Sequence, residues 1–297
     1  MPETETWTIG RLLTWTTDYL TKHGADSPRL DAEVLLAAAR NCQRIDLYTA
    51  FDEVASDQTR IAFRELVRRR AEGMPVAYLV GHREFYALSF YVTPDVLIPR
   101  PETEFIIVSL LDLVKDAQRQ QRDRPWQIAD VGTGSGILAV CAARHIPSAH
   151  VLALDASPAA LKVARRNLRL HDVEQRVELQ PSDLFEDVPP QRRFDFILSN
   201  PPYVSEAEFR ELPVDVRSYE PRQALLAGPQ GTEVIERLLD QAAMRLEPQG
   251  WLLCEISPSI EAEVRQRIDD CGRFSEVEVV RDLAGLPRVV KLRRNGR

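Results

Sequence analysis

"ADVGTGSGIL", residues 129–138, places three glycines, Gly132, Gly134 and Gly136, at the seam between two patterns. The apolar "WQIADVG" before them reads as a buried strand, and "GILAVCAARH" after them reads as a helix. Glycine at such a turn takes left-handed dihedrals closed to other residues and lets a ligand approach the backbone closely. The spacing is GxGxG rather than the GxGxxG of dinucleotide binders, and no Walker lysine with its Ser/Thr neighbour follows, which disfavours a triphosphate. The turn, Gly132, Thr133, Gly134, Ser135 and Gly136, is therefore assigned to a nucleoside ligand without phosphates.

Asp155 closes the next strand pattern, where a carboxylate accepts both hydroxyls of a ribose. Asp183, in "QPSDLF" at the end of the third strand pattern, is placed to accept from an adenine amino group, with Leu184 against the ring. Asp130, just ahead of the glycines, either holds the ligand's amino group or braces the loop. S-adenosylmethionine is the commonest ligand of this description.

Outward from the turn, strand and helix patterns alternate from about residue 100 onward. The strands are "WQIADVG", "HVLALDA", "RVELQPSD", "FDFILSN", "GWLLCEI", "SEVEVVRD" and "PRVVKLRR". Between them lie the helices "GILAVCAARH", "SPAALKVARRNLRLHD", "GTEVIERLLDQAAMRL" and "SPSIEAEVRQRIDDC". Alternation of this kind predicts an α/β fold, a mostly parallel sheet covered by helices. The longest unassigned segment, 204–231, is long enough for a lid or substrate loop.

Residues 1–75 read as a small helical domain. Ile9, Leu12, Leu13, Tyr19 and Leu20 share one face, Ser27-Pro28 starts a second helix, and "SDQTRIAFRELVRRRAEG" forms a third. The arginines of "RRRAEG" suit a solvated, dipole-favoured C-terminus. Alternation at Phe85, Leu88, Phe90 and Val92 marks a hairpin linker over 76–99, and the catalytic domain is expected over 100–297.

The chain has 297 residues, 44% hydrophobic and 28% charged, with no run long enough for a membrane span and no basic secretory leader. A net charge of -7 argues against a protein whose main role is coating phosphate backbones. Cys42, Cys141, Cys254 and Cys271 and the five scattered histidines form no metal spacing. The cysteines are expected to be reduced packing residues of a cytoplasmic protein, and no metal is expected.

"FDFILSNPPYV", residues 194–204, ends an apolar strand on Asn200, then two prolines and a tyrosine. Open sheets bind ligands at the carboxyl ends of their strands, so Asn200 faces the cofactor. A planar NH2 group, its lone pair delocalised, is a poor nucleophile for a sulfonium methyl. Two acceptors aimed at its N–H bonds hold it and relieve charge as the N–C bond forms. The Asn200 side-chain oxygen is one and the Pro201 carbonyl the other. Pro202 biases Pro201 toward an extended conformation, and Tyr203 offers a flat face for a planar amide or base. No strong general base is required.

"NPPY" with "DVGTGSG" resembles the amino-methylating class I S-adenosylmethionine methyltransferases, whose catalytic domain is Rossmann-like. "EFYALSF", "VLIPRPETE" at 96–104 and "EPRQALLAG" at 220–228 narrow the resemblance to the PrmC/HemK family of release-factor glutamine N5-methyltransferases. The resemblance implies S-adenosyl-L-methionine as cofactor and, as protein substrate, the glutamine of the Gly-Gly-Gln loop in class I peptide chain release factors. It implies that Asn200, Pro201, Pro202 and Tyr203 bind the glutamine, and that Arg100, Pro101, Glu102, Thr103 and Glu104 wall the methionine end. Asn200 stands in both the cofactor and the substrate set. A helical domain that helps dock the release factor and an antiparallel C-terminal hairpin, here 274–293, are also implied, and a monomer is expected.

The family generally has glycine where Ala87, Ala227 and Ser257 stand, and aspartate in place of Gln230. None of these touches the glycine turn or NPPY. An adenine-N6 or guanine-N2 methyltransferase of nucleic acid presents the same planar NH2 to the same motif. Against it stand the acidic charge, the absence of a basic target-recognition domain and the IPRPETE segment. An inactive methyltransferase-like scaffold is disfavoured by the intact glycine turn, Asp155 and NPPY.

Overall fold

The computed structural model describes residues 6–118 and 124–296. The chain divides into two compact units, Met1–His82 with Pro213–Tyr219, and Arg83–Leu212 with Glu220–Arg297. The first unit contains α1 (Ile9–Lys22), α2 (Pro28–Arg40), α3 (Arg44–Thr49), α4 (Asp57–Ala71) and α5 (Val76–Val80). Its core is Ile9, Leu13, Leu20, Leu35, Leu36, Leu47, Phe63 and Val67, all buried. Burial of each large side chain contributes about 1.5–3 kcal/mol, more than the weak intrinsic preference of these short helices.

Helix α1 starts where the Thr8 side chain accepts from the Arg11 N–H, and α4 where Ser56 accepts from the Thr59 N–H. The arginines closing α4 are not merely solvated. Arg70 pairs with the mostly buried Asp31 of α2 at 2.7 Å, and Arg68 pairs with Glu65 and Glu72. Helix α5 occupies residues read as the start of the hairpin. Pro75 precedes it, the apolar "VAYLV" forms it, and Gly81 ends it with φ +78°.

The second unit opens with the hairpin β1 (His82–Phe85) and β2 (Leu88–Tyr91), whose first residue falls at the unit boundary. Phe85 and Phe90 are buried, as their alternation predicts. The two-residue turn, Tyr86 and Ala87, has φ +48° and +57°, the left-handed pair of a type I′ turn. A side chain in that region costs about 1–2 kcal/mol, against about 0.5–1 kcal/mol of extra unfolded-chain entropy for glycine. Ala87→Gly is therefore expected to stabilise the protein by about 0.5–1 kcal/mol in urea unfolding. An unchanged or lower midpoint contradicts it.

There follow α6 (Glu104–Gln118), β3 (Trp126–Val131), α7 (Ile137–His145), β4 (Ala149–Asp155), α8 (Pro158–Leu170), β5 (Val177–Pro181), β6 (Phe194–Ser199), β7 (Val204–Ser205), α9 (Glu206–Glu211) and α10 (Val214–Tyr219). The chain continues with β8 (Leu226–Gly228), α11 (Glu233–Arg245), β9 (Leu246–Glu255), α12 (Glu261–Cys271), β10 (Phe274–Arg281) and β11 (Pro287–Arg294). The main sheet has seven strands in the order β10-β11-β9-β6-β3-β4-β5. Its five-strand core is parallel, and β11 pairs antiparallel with both β9 and β10. The structure thus has the expected sheet and its closing antiparallel hairpin. All seven strand patterns are strands of this sheet.

Strand residues alternate between two cores. Ile128, Val151, Phe196 and Leu253 face the layer of α6, α7 and α8, while Ala129, Leu152, Ile197 and Leu252 face α11 and α12. Burial on both faces is why these strands read as continuous apolar runs rather than alternating ones. Helix α6, absent from the sequence reading, buries Ile106, Ile107, Leu110 and Val114 in the first core. The segment read as a long unassigned loop, 204–231, holds β7, α9, α10 and β8 instead, with β7 and β8 paired parallel. Within the helical unit, the Tyr219 hydroxyl of α10 donates to the Glu72 carbonyl at 2.8 Å.

Candidate active site

The sheet reverses its order between β3 and β6. From β3 the chain moves outward to β4 and β5, then returns to β6 on the other side. Such a switch point leaves a crevice beyond the carboxyl ends of the two strands. Val131 of β3 is in register with Ser199 of β6, so Gly132 and Asn200, the next residues, leave the sheet side by side. The Ser199 hydroxyl donates to the Val131 carbonyl at 2.7 Å and ties the two strand ends together. A cleft forms there, lined among others by Arg100, Thr103, Gly132, Thr133, Gly134, Ser135, Asp155, Asp183, Leu184, Asn200 and Pro202.

The glycines divide into two roles. Gly132 and Gly134, with φ +74° and +54°, line the cleft, and a Cβ on either would meet nothing closer than 3.9 Å. Their need is conformational. Gly136, with φ +85°, shares that need but does not line the cleft; a Cβ there would also stand 3.3 Å from the Cβ of Ala164 in α8, so this glycine serves helix packing as well. Asp130 braces the loop: its Oδ2 accepts from the Thr133 hydroxyl at 2.6 Å and the Ala139 N–H at 3.0 Å, and burial pushes its carboxyl up to about 7. Asn167 of α8 donates to the Ser135 and Tyr91 carbonyls and accepts from the Tyr91 N–H, pinning the glycine turn to β2.

Asp155 accepts the Gly134 N–H on one oxygen and the Ser157 N–H on the other, both at 2.8 Å. Each oxygen keeps acceptor capacity on the cleft side. Two fixed acceptors match a vicinal diol, so the donor set fits a ribose. Burial raises the Asp155 carboxyl above its ordinary range, and the two N–H bonds oppose that shift. Asp183 lies at the rim and is exposed; its Oδ2 accepts from Arg237 at 2.7 Å, which leaves Oδ1 for a ligand. Leu184 holds φ +50° and turns an apolar side chain into the cleft lining.

On the other wall, the Asn200 Nδ2 donates to the Thr103 hydroxyl at 3.0 Å. Thr103 donates in turn to Glu255 Oε2 at 2.6 Å, and the Tyr203 hydroxyl donates to Glu255 Oε1 at 3.0 Å. Glu255, the last residue of β9, is buried, which pushes its carboxyl up to about 7 against those two hydrogen bonds. Tyr203 is held well above the ordinary phenol value by burial first and then by the charge of Glu255. Pro202 lines the cleft, whereas Pro201, Tyr203, Pro101 and Glu102 do not. Tyr203, partly buried, packs beside the apolar core, and its hydroxyl is an anchor.

Two carboxylates, Glu220 at the head of EPRQALLAG and Glu104 at the end of IPRPETE, hold the 96–104 segment in place. Buried Glu220 accepts the Ile98 N–H at 3.1 Å and pairs with Arg100 at 2.5 Å. Glu104 accepts the Tyr86 N–H at 2.8 Å and fixes the hairpin turn. Gly231, with φ +88°, packs so closely that a Cβ would lie 2.8 Å from the Tyr203 carbonyl. Among the described residues no group of three His, Cys, Asp or Glu side chains could hold a metal ion.

Residues 11–81 match the family described as PrmC N-terminal domain, and residues 112–214 match the methyltransferase small domain family. The release factor glutamine methyltransferase of Rhodopirellula baltica is 49% identical over 97% of this chain and 97% of its own length. Those of Koribacter versatilis and Geobacter sulfurreducens are 42% and 38% identical over 89% and 96% of this chain, and over 90% and 96% of their own. The chain belongs to the release factor glutamine methyltransferase family. The hMettl16 catalytic domain in complex with an RNA hairpin overlays with a TM-score of 0.56 at 17% identity, over 78% of this chain and 82% of its own. A Thermus thermophilus 16S rRNA N2 G1207 methyltransferase in complex with AdoMet and guanosine gives 0.52 at 18% identity, over 72% and 50%. At that identity the overlays establish the Rossmann-like methyltransferase fold that this family shares. Within this chain, IPRPETE and EPRQALLAG are joined directly, since Arg100 and Glu220 are partners across the two motifs.

Proposed function

We propose that the protein methylates the side-chain N5 of the glutamine in the Gly-Gly-Gln loop of class I peptide chain release factors, with S-adenosyl-L-methionine as donor. The observation that carries this reading is the Asn200 amide, held by its own N–H at the switch point, with its oxygen left for the cleft. Gly132, Thr133, Gly134 and Asp155 would hold the cofactor's nucleoside, Asp183 and Leu184 its adenine, and Arg100 and Thr103 the methionine end. Bound there, the cofactor supplies an electrophilic sulfonium methyl.

The residues of this chain supply position and charge. The Asn200 oxygen accepts one N–H of the substrate amide and the Pro201 carbonyl the other, so the nitrogen is fixed and its growing positive charge is met by two preorganised dipoles. The nitrogen sheds its proton to solvent after the N–C bond forms, and no basic side chain is needed. The helical unit is proposed to contribute to release-factor docking, and the protein to act in the cytoplasm as a monomer. Among the described residues no helix is long and apolar enough to cross a membrane.

Incubation with methyl-labelled cofactor and purified release factor is expected to label the protein substrate once per Gly-Gly-Gln loop. Replacement of that glutamine by alanine abolishes the label. Label that persists in the replaced substrate, or appears in RNA, overturns the reading.

A further inference from the structure

Glu255 does not itself line the cleft, yet through the lining residue Thr103 it ends the hydrogen-bond chain that starts at Asn200. The ionised form of Glu255, which the Thr103 and Tyr203 hydrogen bonds favour against burial, only accepts. Both of its oxygens are taken by hydroxyl donors, Thr103 at 2.6 Å and Tyr203 at 3.0 Å. With its proton committed to Glu255, the Thr103 oxygen has only lone pairs to offer Asn200. The Asn200 NH2 must therefore face Thr103, and its oxygen must face the other way.

We infer that Glu255 is a positioning residue: through Thr103 it sets which end of the Asn200 amide is presented to the methyl-accepting nitrogen. The inference rests on the proposed amide methylation, because only an NH2 substrate needs the oxygen rather than the NH2 of Asn200. An asparagine side chain is nearly symmetric in shape, so packing alone does not choose between its two orientations. The choice has to come from a directed partner. Reversing the Thr103 hydroxyl would turn the Asn200 amide and set donor against donor at the substrate.

Glu255→Gln tests this with little change in volume. The new amide offers one oxygen and one NH2 to two hydroxyls that both donate in the native protein. An NH2 facing Thr103 reverses the relay. Since a misplaced reacting group costs up to about 10²-fold, kcat for the release factor is expected to fall by about 10- to 100-fold with the KM for S-adenosylmethionine unchanged. Thr103→Val breaks the same relay and should cost as much. The double variant is expected to be no worse than either single one, because the residues act as a unit. Thr103→Ser, which keeps the hydroxyl, should recover about tenfold of what Thr103→Val loses.

A second readout needs no substrate. With selectively labelled asparagine, the side-chain NH2 of Asn200 should show nuclear Overhauser contacts to the Thr103 methyl in the wild-type protein and lose them in Glu255→Gln. Wild-type kcat in Glu255→Gln, additive losses in the double variant, or contacts unchanged by that substitution each overturn the inference. If the wild-type protein fails to label the release factor while the contacts behave as expected, the relay stands and the substrate assignment falls.

Discussion

Asn200→Ala is expected to lower turnover by about 10²–10³-fold, the loss that accompanies removal of one preorganised dipole at a reacting centre, with cofactor affinity unchanged. The separation follows from the structure. The donors and acceptors assigned to the nucleoside belong to the β3–α7 turn and the end of β4, and Asp155 is fixed by Gly134 and Ser157 rather than by Asn200. Among the described residues the Asn200 side chain makes one hydrogen bond, on the opposite wall, to Thr103. Its loss leaves Thr103 and Glu255 still paired with each other, so the fold should tolerate it. Single-turnover rates with calorimetric cofactor binding provide the check. A variant that loses affinity and turnover in equal measure contradicts the division of roles.

The parts of this site that follow from local pattern were legible in the sequence. A strand buried on both faces has to be an apolar run, so β3, β4, β6 and β9 announced themselves. Their ends, Gly132, Asp155 and Asn200, follow directly because ligands gather at the carboxyl ends of parallel strands. What stayed hidden depends on partners far apart in the chain. Glu255 reads as one more residue of "GWLLCEI", and only folding sets it beside Thr103, 152 positions away. Glu220 is an ordinary acid until Ile98 and Arg100 reach it from 122 and 120 positions away.

Gly136 shows the converse. Its spacing and its positive φ match the other glycines, but it stands outside the cleft lining and adds a second demand, close packing on Ala164 of the neighbouring helix. Tyr203 carries a contact that the motif alone does not reveal, whatever its ring offers the substrate. The fold uses its hydroxyl to fill the second oxygen of Glu255. Helix α6 is masked in the sequence by the Pro101–Thr103 turn that runs straight into its first residue, Glu104.

Asp155→Ala should show the opposite signature to Asn200→Ala, a loss of cofactor affinity first. Two hydrogen bonds donated by ribose hydroxyls to a carboxylate contribute about 1.5–3 kcal/mol each. Their removal therefore corresponds to a Kd raised by about 10²–10⁴-fold. The variant also strips the acceptor from the Gly134 and Ser157 N–H groups, so the glycine turn itself loosens. At saturating cofactor its turnover should exceed that of Asn200→Ala, because Asn200, Thr103 and Glu255 keep their hydrogen bonds. The wild-type protein adds an independent test. Burial raises the Asp155 carboxyl above its ordinary range, and only the ionised form accepts from both hydroxyls while also accepting both backbone N–H groups. Cofactor affinity should then weaken as the pH falls and Asp155 takes up a proton, and the part of that dependence due to Asp155 should vanish in Asp155→Ala. A variant that binds the cofactor as tightly as the wild-type protein would remove Asp155 from the site.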